Sequence, residues 1–366
     1  MATKPEALKA RPPHGRDRID YLDGLRGVAI LSVMLWHYSD EVYASFLPYG
    51  TLFAGLPGLD RGWVGVNLFF LLSGFVILLT LERYERYTEF LRRRWLRLFP
   101  AMLIASAIVF SASQAIGDYM PHGRADLQDA LPGLTFVSVG FYNEFLPFSI
   151  NELDGVYWTL YVEAGFYVVF GALFYALGWP RALVAFASLW ILVLVGSEFI
   201  ASADRSWAAK GVQYLQWIGA TYFGWFVSGA LFYKANRTGS NALFAAAVVA
   251  GVVSAFTSGL WQPADGVSKA YLCACVGLFA LAQKSSPARR LLAARPLLFL
   301  GFVSYPLYLL HNELGVGVIS AIGTLTPPQA YWALPFVVGA FVVALSYVVA
   351  RRLEPALRRM LNGRQS

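Results

Sequence analysis

The sequence predicts an all-α, polytopic helical bundle that spans a membrane. Hydrophobic residues make up 57% of the 366 residues and charged residues 14%, whereas soluble domains carry about 25% charged residues. The mean hydropathy is +0.53. Apolar runs near the ~20 residues that cross a bilayer recur along the chain, and basic clusters alternate with acidic ones between them. These observations exclude soluble globular, disordered and disulfide-scaffold proteins.

Ten apolar runs are long enough to be predicted as spans. They lie near 22–43, 62–82, 98–116, 156–178, 182–201, 213–233, 241–260, 268–283, 297–318 and 331–350. An eleventh stretch, 131–148, is interrupted by prolines, glycines and polar residues, so we expect it to be re-entrant or surface-lying. The predicted plan is a cytoplasmic tail (1–19), a membrane domain (20–352) with an external segment (117–155), and a basic cytoplasmic tail (353–366).

The distribution of charge predicts the orientation. Basic clusters lie before the first run, in every second loop between runs, and after the last run. The loops between these basic ones are acidic. With ten crossings, every basic cluster falls on the cytoplasmic side, together with both termini. The net charge of +7 therefore indicates membrane topology, and we expect no nucleic-acid partner.

Charged groups inside spans are the functional candidates, because each costs ~2.5–3.5 kcal/mol to insert. Arg26 and His37 lie eleven residues apart in the first run, which is close to three helical turns, so they share a face. A histidine with a near-neutral pKa can take a proton from a hydroxyl and return it. The alternatives are an interfacial hydrogen bond for His37 and a topology anchor paired with Asp23 for Arg26.

Two further groups are predicted at the depth of His37. His311 lies in the ninth run, about 21 Å from its inner end, and Glu163 lies about 10 Å below the outer end of the fourth. Histidines at one depth on different helices indicate a shared polar cavity. Glu163 is a candidate to orient or stabilise a charged histidine, or to bind an acceptor hydroxyl. Structural contacts between helices are the alternative for both.

An arginine cluster lies at the cytoplasmic end of the third run. Arg94 and Arg97 are spaced i, i+3, and Arg93 and Arg97 are spaced i, i+4, so either pair makes a one-sided cationic face. Guanidinium groups bind phosphate oxygens in a bidentate manner. The cluster is thus a candidate site for a phosphorylated donor, with anchoring to anionic lipid as the alternative.

Several catalytic motifs are absent from the sequence, including a P-loop, a zinc-binding H-E-x-x-H and a Gly-x-Ser-x-Gly elbow. Cys273 and Cys275, spaced i, i+2, point to different sides of a helix and predict neither a disulfide nor a metal pair. Apolar spans with a few His, Glu and Arg residues fit transfer chemistry inside a membrane, or a proton-coupled transporter or flippase of a glycolipid or small acid.

Five segments of the chain resemble the acyltransferase family 3 integral membrane acyltransferases. In the family's order they are Tyr21–His37, Gly65–Val76, Phe90–Pro100, Tyr157–Tyr167 and Ser304–His311. They carry an Arg-x10-His, an Arg-x-x-Arg and a Trp-Thr-Leu-x-x-Glu pattern, and the resemblance extends over nearly the whole chain.

The resemblance implies an O-acyltransferase of the bacterial inner membrane. Its donor would be cytoplasmic acyl-CoA, with acetyl-CoA favoured, and its acceptor a carbohydrate or glycolipid hydroxyl in surface polysaccharide, lipopolysaccharide or peptidoglycan. By matching position, His37 would be the catalytic histidine with Arg26 as its motif partner, and Arg94 and Arg97, supported by Arg93, would bind donor phosphates. Many relatives carry a C-terminal esterase-like domain, which this sequence lacks after the last run, so direct transfer or another partner is expected.

Overall fold

The computed structural model describes residues 19–39, 41–200, 207–257 and 265–361. These ranges are built from helices and contain no β-strand. The predicted N-terminal tail before residue 19 and residues 362–366 of the predicted C-terminal tail lie outside the described residues.

Sixteen α-helices follow one another along the described chain. The first eight are α1 (Asp20–His37), α2 (Val64–Leu81), α3 (Tyr87–Ile116), α4 (Leu131–Thr135), α5 (Val139–Phe145), α6 (Trp158–Leu177), α7 (Trp179–Ile200) and α8 (Trp207–Trp217). The others are α9 (Phe223–Thr238), α10 (Asn241–Thr257), α11 (Gly266–Lys284), α12 (Ser286–Leu292), α13 (Arg295–Leu310), α14 (Glu313–Gly323), α15 (Leu334–Val348) and α16 (Glu354–Leu361). A π-helical turn, Val349–Leu353, joins α15 to α16.

The predicted fold class is confirmed: the chain is an all-α, polytopic membrane protein. Each of the ten apolar runs contains a helix. In the part of the chain that the structure describes, six helices are long and apolar enough to cross a membrane, with the bent pair α12–α13 as a seventh. The other predicted crossings correspond to α1, which carries three charged residues, and to α9 and α10, which have 16 and 17 residues. The count of ten crossings stays a prediction.

The helices α1 and α13 meet backbone to backbone. A Cβ built on Gly301 would lie 2.0 Å from the carbonyl oxygen of Asp23, and one on Gly27 would lie 2.3 Å from that of Leu297. Small residues permit this approach, as in other membrane helix pairs. The contact fixes the helix that ends at His37 against the helix that ends just before His311.

A second glycine-mediated contact joins α2 to α9. A Cβ on Gly74 would lie 2.2 Å from the carbonyl oxygen of Phe226, and one on Gly229 would lie 2.0 Å from that of Leu71. Because α1 also packs on α2, and α9 on α10, these helices form a continuous inner layer. Its side chains form one buried apolar core.

The outward faces of several helices are apolar and exposed. On α7, Val184 is 66% exposed and Val195 is 50% exposed; on α15, Phe336 is 61% exposed. Helices satisfy their own backbone hydrogen bonds, so such faces are stable in lipid. These faces agree with a multi-pass membrane protein.

The segment 117–155 forms short helices instead of a span. Within it, α4 has five residues and α5 has seven, far below the length that crosses a bilayer. The stretch 131–148 therefore contains no single spanning helix. That the segment lies on the outer side of the membrane stays a prediction.

Candidate active site

The pair His37 and His311 forms the centre of the candidate site. Their side chains meet at 3.1 Å between Nδ1 of His37 and Nε2 of His311. Both residues are buried, with exposures of 4% and 0%. The sequence prediction that these two histidines share one polar site agrees with this contact.

Backbone carbonyls assign the tautomers of both rings. Nδ1 of His311 lies 2.8 Å from the carbonyl oxygen of Tyr308, and Nδ1 of His37 lies 2.9 Å from that of Val33. A carbonyl only accepts, so each Nδ1 carries a proton. The lone pair on Nε2 of His311 therefore faces the Nδ1–H of His37. Among the described residues no group bonds to Nε2 of His37, which leaves that nitrogen as a proton acceptor.

His37 lies on the wall of an outer cavity of about 600 Å³. Aromatic residues dominate the lining: Trp36, Tyr43, Trp63, Trp158, Tyr161, Trp217, Tyr222 and Tyr308. The polar lining includes Asn67, His122, Glu152 and Gln216. Glu152 accepts a 2.9 Å hydrogen bond from the Tyr161 hydroxyl, and burial raises the pKa of its carboxyl to about 7.

An inner cavity of about 250 Å³ contains the charged residues. Its wall includes three arginines and two carboxylates: Arg26, Arg94, Arg97, Asp23 and Glu163. The formal net charge of these five side chains is +1. Of these groups, Arg26 and Asp23 form a direct ion pair at 2.7 Å. This pairing agrees with the alternative role given to Arg26 in the sequence analysis.

Arg94 is held rigidly in this wall. Its guanidinium donates to the hydroxyl of Thr80 and lies 5.3 Å from the ring centre of Tyr167. The residue is 6% exposed, and its Nε is buried without a partner among the described residues. A desolvated guanidinium that lines a cavity is suited to bind an anionic group there.

The two cavities meet at Tyr308 and Val66, which line both. The Tyr308 hydroxyl accepts a 2.9 Å hydrogen bond from Thr159 and donates a 3.3 Å bond to the carbonyl of Val156. The same Tyr308 supplies the carbonyl that fixes the tautomer of His311. The boundary between the cavities is therefore part of the histidine pair's support.

Two of the predicted site residues lie elsewhere than expected. Glu163 does not pair with His37; it lines the inner cavity and accepts hydrogen bonds from Ser73 and Tyr167. On α6 it is Thr159 that contacts Tyr308, at the boundary between the cavities. Glu163 follows Thr159 by one helical turn and therefore lies one turn further toward the inner cavity.

Arg93 was also expected beside Arg94 and Arg97, but it lines neither cavity. Its guanidinium pairs with Glu89 at 3.1 Å, one turn earlier on α3, and lies over the ring of Tyr84. The Glu89 side chain is itself 42% exposed, and the two contacts hold Arg93 away from the cavity.

Sequence reasoning missed a polar cluster next to the histidines. Glu313 accepts hydrogen bonds from the backbone N–H and the ring of His122. Asp154 accepts from the side chain of Asn312 at 2.9 Å and from the backbone N–H of Glu313 at 3.2 Å. The cluster ties both ends of segment 117–155 to the residues directly after His311.

We expect this attachment to weaken as the pH rises. The hydrogen bond to Glu313 raises the pKa of His122, and burial together with Glu313 raises that of Asp154; burial also raises that of Glu152. A raised pKa contributes stability at low pH that is lost as the pH rises through the folded-state value. All three pKa shifts have this sign. We therefore expect the stability of the attachment to fall between weakly acidic pH and a pH above 6.5, the pKa of a free histidine.

Limited proteolysis of segment 117–155 measures this effect. Cleavage is expected to be slower at about pH 6 than at about pH 8.5, with a smaller difference in the His122→Gln variant, which does not titrate in this range. Each protease is calibrated on an unstructured substrate at both pH values. Equal cleavage at the two pH values would contradict the expectation.

Comparison with known proteins agrees with the resemblance of the five segments. A family described as an acyltransferase domain matches residues 19–351. Acyltransferase MdmB of Streptomyces mycarofaciens is 30% identical over 202 residues, which are 52% of this chain and 49% of the relative. Peptidoglycan O-acetyltransferase OatA of Listeria monocytogenes is 25% identical over 397 residues, covering 96% of this chain and 58% of the relative.

A third relative, O-acetyltransferase OatA of Staphylococcus aureus, is 29% identical over 161 residues, 41% of this chain and 23% of its own. The chain thus spans about half the length of the first relatives that it matches. No solved structure matches it. Because the family match covers nearly the whole chain, including both cavities and both histidines, the protein belongs to this family of membrane acyltransferases.

Proposed function

We propose that the protein is an O-acyltransferase of the bacterial inner membrane. It moves an acyl group, acetyl in the first instance, from cytoplasmic acyl-CoA to a hydroxyl of a carbohydrate or glycolipid acceptor. One observation carries the proposal: a cationic cavity and an aromatic cavity meet beside a histidine nitrogen that is free to accept a proton. The printed names of the relatives, a peptidoglycan O-acetyltransferase among them, support it.

The donor enters from the cationic side. A cavity of about 250 Å³ is too small for a whole coenzyme A, so it takes the acyl-pantetheine end while the nucleotide stays at the mouth. Arg97, which is exposed and also lines the cavity, binds the phosphates there. Arg94 and Arg26 lie deeper, where they stabilise the negative charge that develops on the thioester oxygen.

The histidine pair performs the proton transfer. Nε2 of His37 takes the proton of the acceptor hydroxyl as its oxygen attacks the thioester carbonyl carbon. The carbon–sulfur bond then breaks, and the departing thiolate takes this proton from Nε2 of His37, which gives the ester and free coenzyme A. While His37 is charged, its Nδ1–H is stabilised by the lone pair on Nε2 of His311. His311 thus acts as the orienting partner that Glu163 was expected to be.

Glu163 serves the donor side. Its carboxylate is held by Ser73 and Tyr167, and the Tyr167 ring lies beside the guanidinium of Arg94. The negative charge of Glu163 offsets the cost of burying several arginines together. In this arrangement Glu163 is a positioning residue for Arg94.

The experiment that tests the function measures free thiol release from acetyl-CoA by the purified protein. Release that depends on His37 supports the enzyme. A protein that neither binds nor cleaves acetyl-CoA would contradict it and favour the transporter reading, in which the same polar groups relay protons. Donor binding is measured by calorimetry. It shows whether an absence of thiol release reflects a missing acceptor or a missing donor site.

Removing one arginine tests the donor site. Arg97→Ala is expected to raise the dissociation constant for acetyl-CoA by roughly tenfold to a hundredfold, since a charge-assisted hydrogen bond contributes about 1.5–3 kcal/mol. Arg92→Ala is the matched control, because Arg92 is exposed on the same helix and lines neither cavity. Equal effects of the two substitutions would place the phosphates elsewhere.

A further inference from the structure

We infer that the outer cavity is the acceptor site and that it is built for an uncharged carbohydrate chain, held between tryptophan faces and the Glu152 carboxyl group. The inference rests on the proposed function, which requires an acceptor hydroxyl beside His37. It goes further by naming the residues that bind the acceptor and the charge that the acceptor carries.

The aromatic walls suit sugar rings. Four of the eleven tryptophans of the chain line this one cavity: Trp36, Trp63, Trp158 and Trp217. Aromatic faces are electron-rich, and they pack well against the slightly positive C–H groups on the face of a pyranose ring. Trp36 also contacts the His37 ring edge-on, with centroids 4.4 Å apart, which places one such face next to the proton acceptor.

The size of the cavity indicates a chain instead of a single small alcohol. Its volume of about 600 Å³ lies in the middle of the range of ~300–1,000 Å³ for pockets that bury a ligand of drug size. Trp217 lies against Gly140 of α5, and Trp36 lies at the end of α1. The stacking faces thus come from different elements around one space.

The charges of the lining disfavour an anionic acceptor. The described residues that line the cavity include the acid Glu152 and the titratable His37 and His122, but neither a lysine nor an arginine. The positive charge that His122 carries when protonated is already paired with Glu313. A uronate, sialate or phosphate group would therefore enter without a cation to balance it, at a considerable cost in desolvation. The hydroxyls of a neutral sugar can instead donate to Glu152.

Binding measured without chemistry tests this site apart from the catalytic proposal. The protein is placed in lipid nanodiscs, because sugar-headed detergents would compete. Calorimetry then compares two neutral chains, cellotetraose and tetra-N-acetylchitotetraose, with the C6-oxidised tetraglucuronate form of cellotetraose. We expect a neutral chain to bind more tightly than the oxidised one, and Glu152→Gln to narrow that difference.

Tryptophan variants locate the binding. Trp63→Leu and Trp217→Leu are each expected to weaken binding of the neutral chain by roughly three- to tenfold. Trp332→Leu is the matched control, because Trp332 is 59% exposed and lines neither cavity. Circular dichroism checks that each variant keeps its helix content, and donor binding checks the inner cavity.

Each outcome decides the inference. If the protein releases thiol from acetyl-CoA but binds neither neutral chain, or binds the oxidised chain more tightly, the inference is wrong while the catalytic proposal stands. If the control weakens binding as much as the cavity variants, the sugar binds elsewhere. Selective binding of a neutral chain by a protein that neither binds nor cleaves acetyl-CoA would instead contradict the proposed enzyme and leave a carbohydrate-binding site.

Discussion

Replacing His37 with glutamine is expected to lower the rate of acyl transfer by roughly 10²–10⁴-fold, the usual contribution of general acid–base catalysis. Glutamine is close in size to histidine and can still donate to the carbonyl of Val33, but it cannot take the acceptor proton. Nε2 of His37 has no partner among the described residues, so the structural contact that the substitution alters is that of Nδ1 with His311. We expect the fold and the donor affinity to be retained.

Single-turnover thiol release with acetyl-CoA, measured beside circular dichroism and donor binding, separates chemistry from folding. His311→Gln is the companion variant. It removes the imidazole lone pair behind the Nδ1–H of His37 but leaves Nε2 of His37 in place, so a smaller loss is expected. Because the charged form of His37 loses its support, the pH profile of the rate should move to lower pH. Full activity of His37→Gln would refute the proposed mechanism.

Replacing Gly301 with valine is expected to cause the largest loss of stability. Its new Cβ would lie 2.0 Å from the carbonyl oxygen of Asp23, a backbone atom that cannot turn away, so α1 and α13 must separate. Overpacking typically costs about 1–3 kcal/mol and occasionally more, and we expect a value at or above the upper end. Separation also breaks the contact of His37 with His311.

The melting temperature in detergent and the transfer rate should therefore fall together. Gly277→Ala is the control: Gly277 lies inside α11 with nothing within 4 Å of an added Cβ, so alanine should stabilise the helix by roughly 0.5–1 kcal/mol. If Gly301→Val melts at the wild-type temperature, the close approach of the two helices is not what holds the site.

The features that follow from local pattern are the ones the sequence predicts well. Apolar runs near 20 residues recover the helices, since the bilayer selects length and composition directly. The meeting of His37 and His311 was predictable, because helical rise converts sequence distance into depth. Depth alone did not predict which cavity Glu163 lines, since one helical turn along α6 decides whether a residue faces the outer or the inner cavity.

The arginine cluster shows a second limit. Spacing allows both Arg93 and Arg94 to share a face with Arg97, and only the rotation of α3 against its neighbours selects Arg94. Glu89 could have signalled the outward pairing of Arg93, because it lies four residues before it. The contact between His122 and Glu313 joins residues 191 positions apart, and no local pattern indicates it.

The backbone contact between α1 and α13 restricts how this chain can change its length. A single residue inserted between Gly27 and His37 would rotate the end of α1 by ~100° and turn the imidazole away from His311, because the glycine upstream cannot slide to compensate. An insertion in the turn around Gly50 lies outside the helices and leaves this register unchanged. New acceptor preferences are therefore expected to arise by remodelling the loops above a helical register that stays fixed.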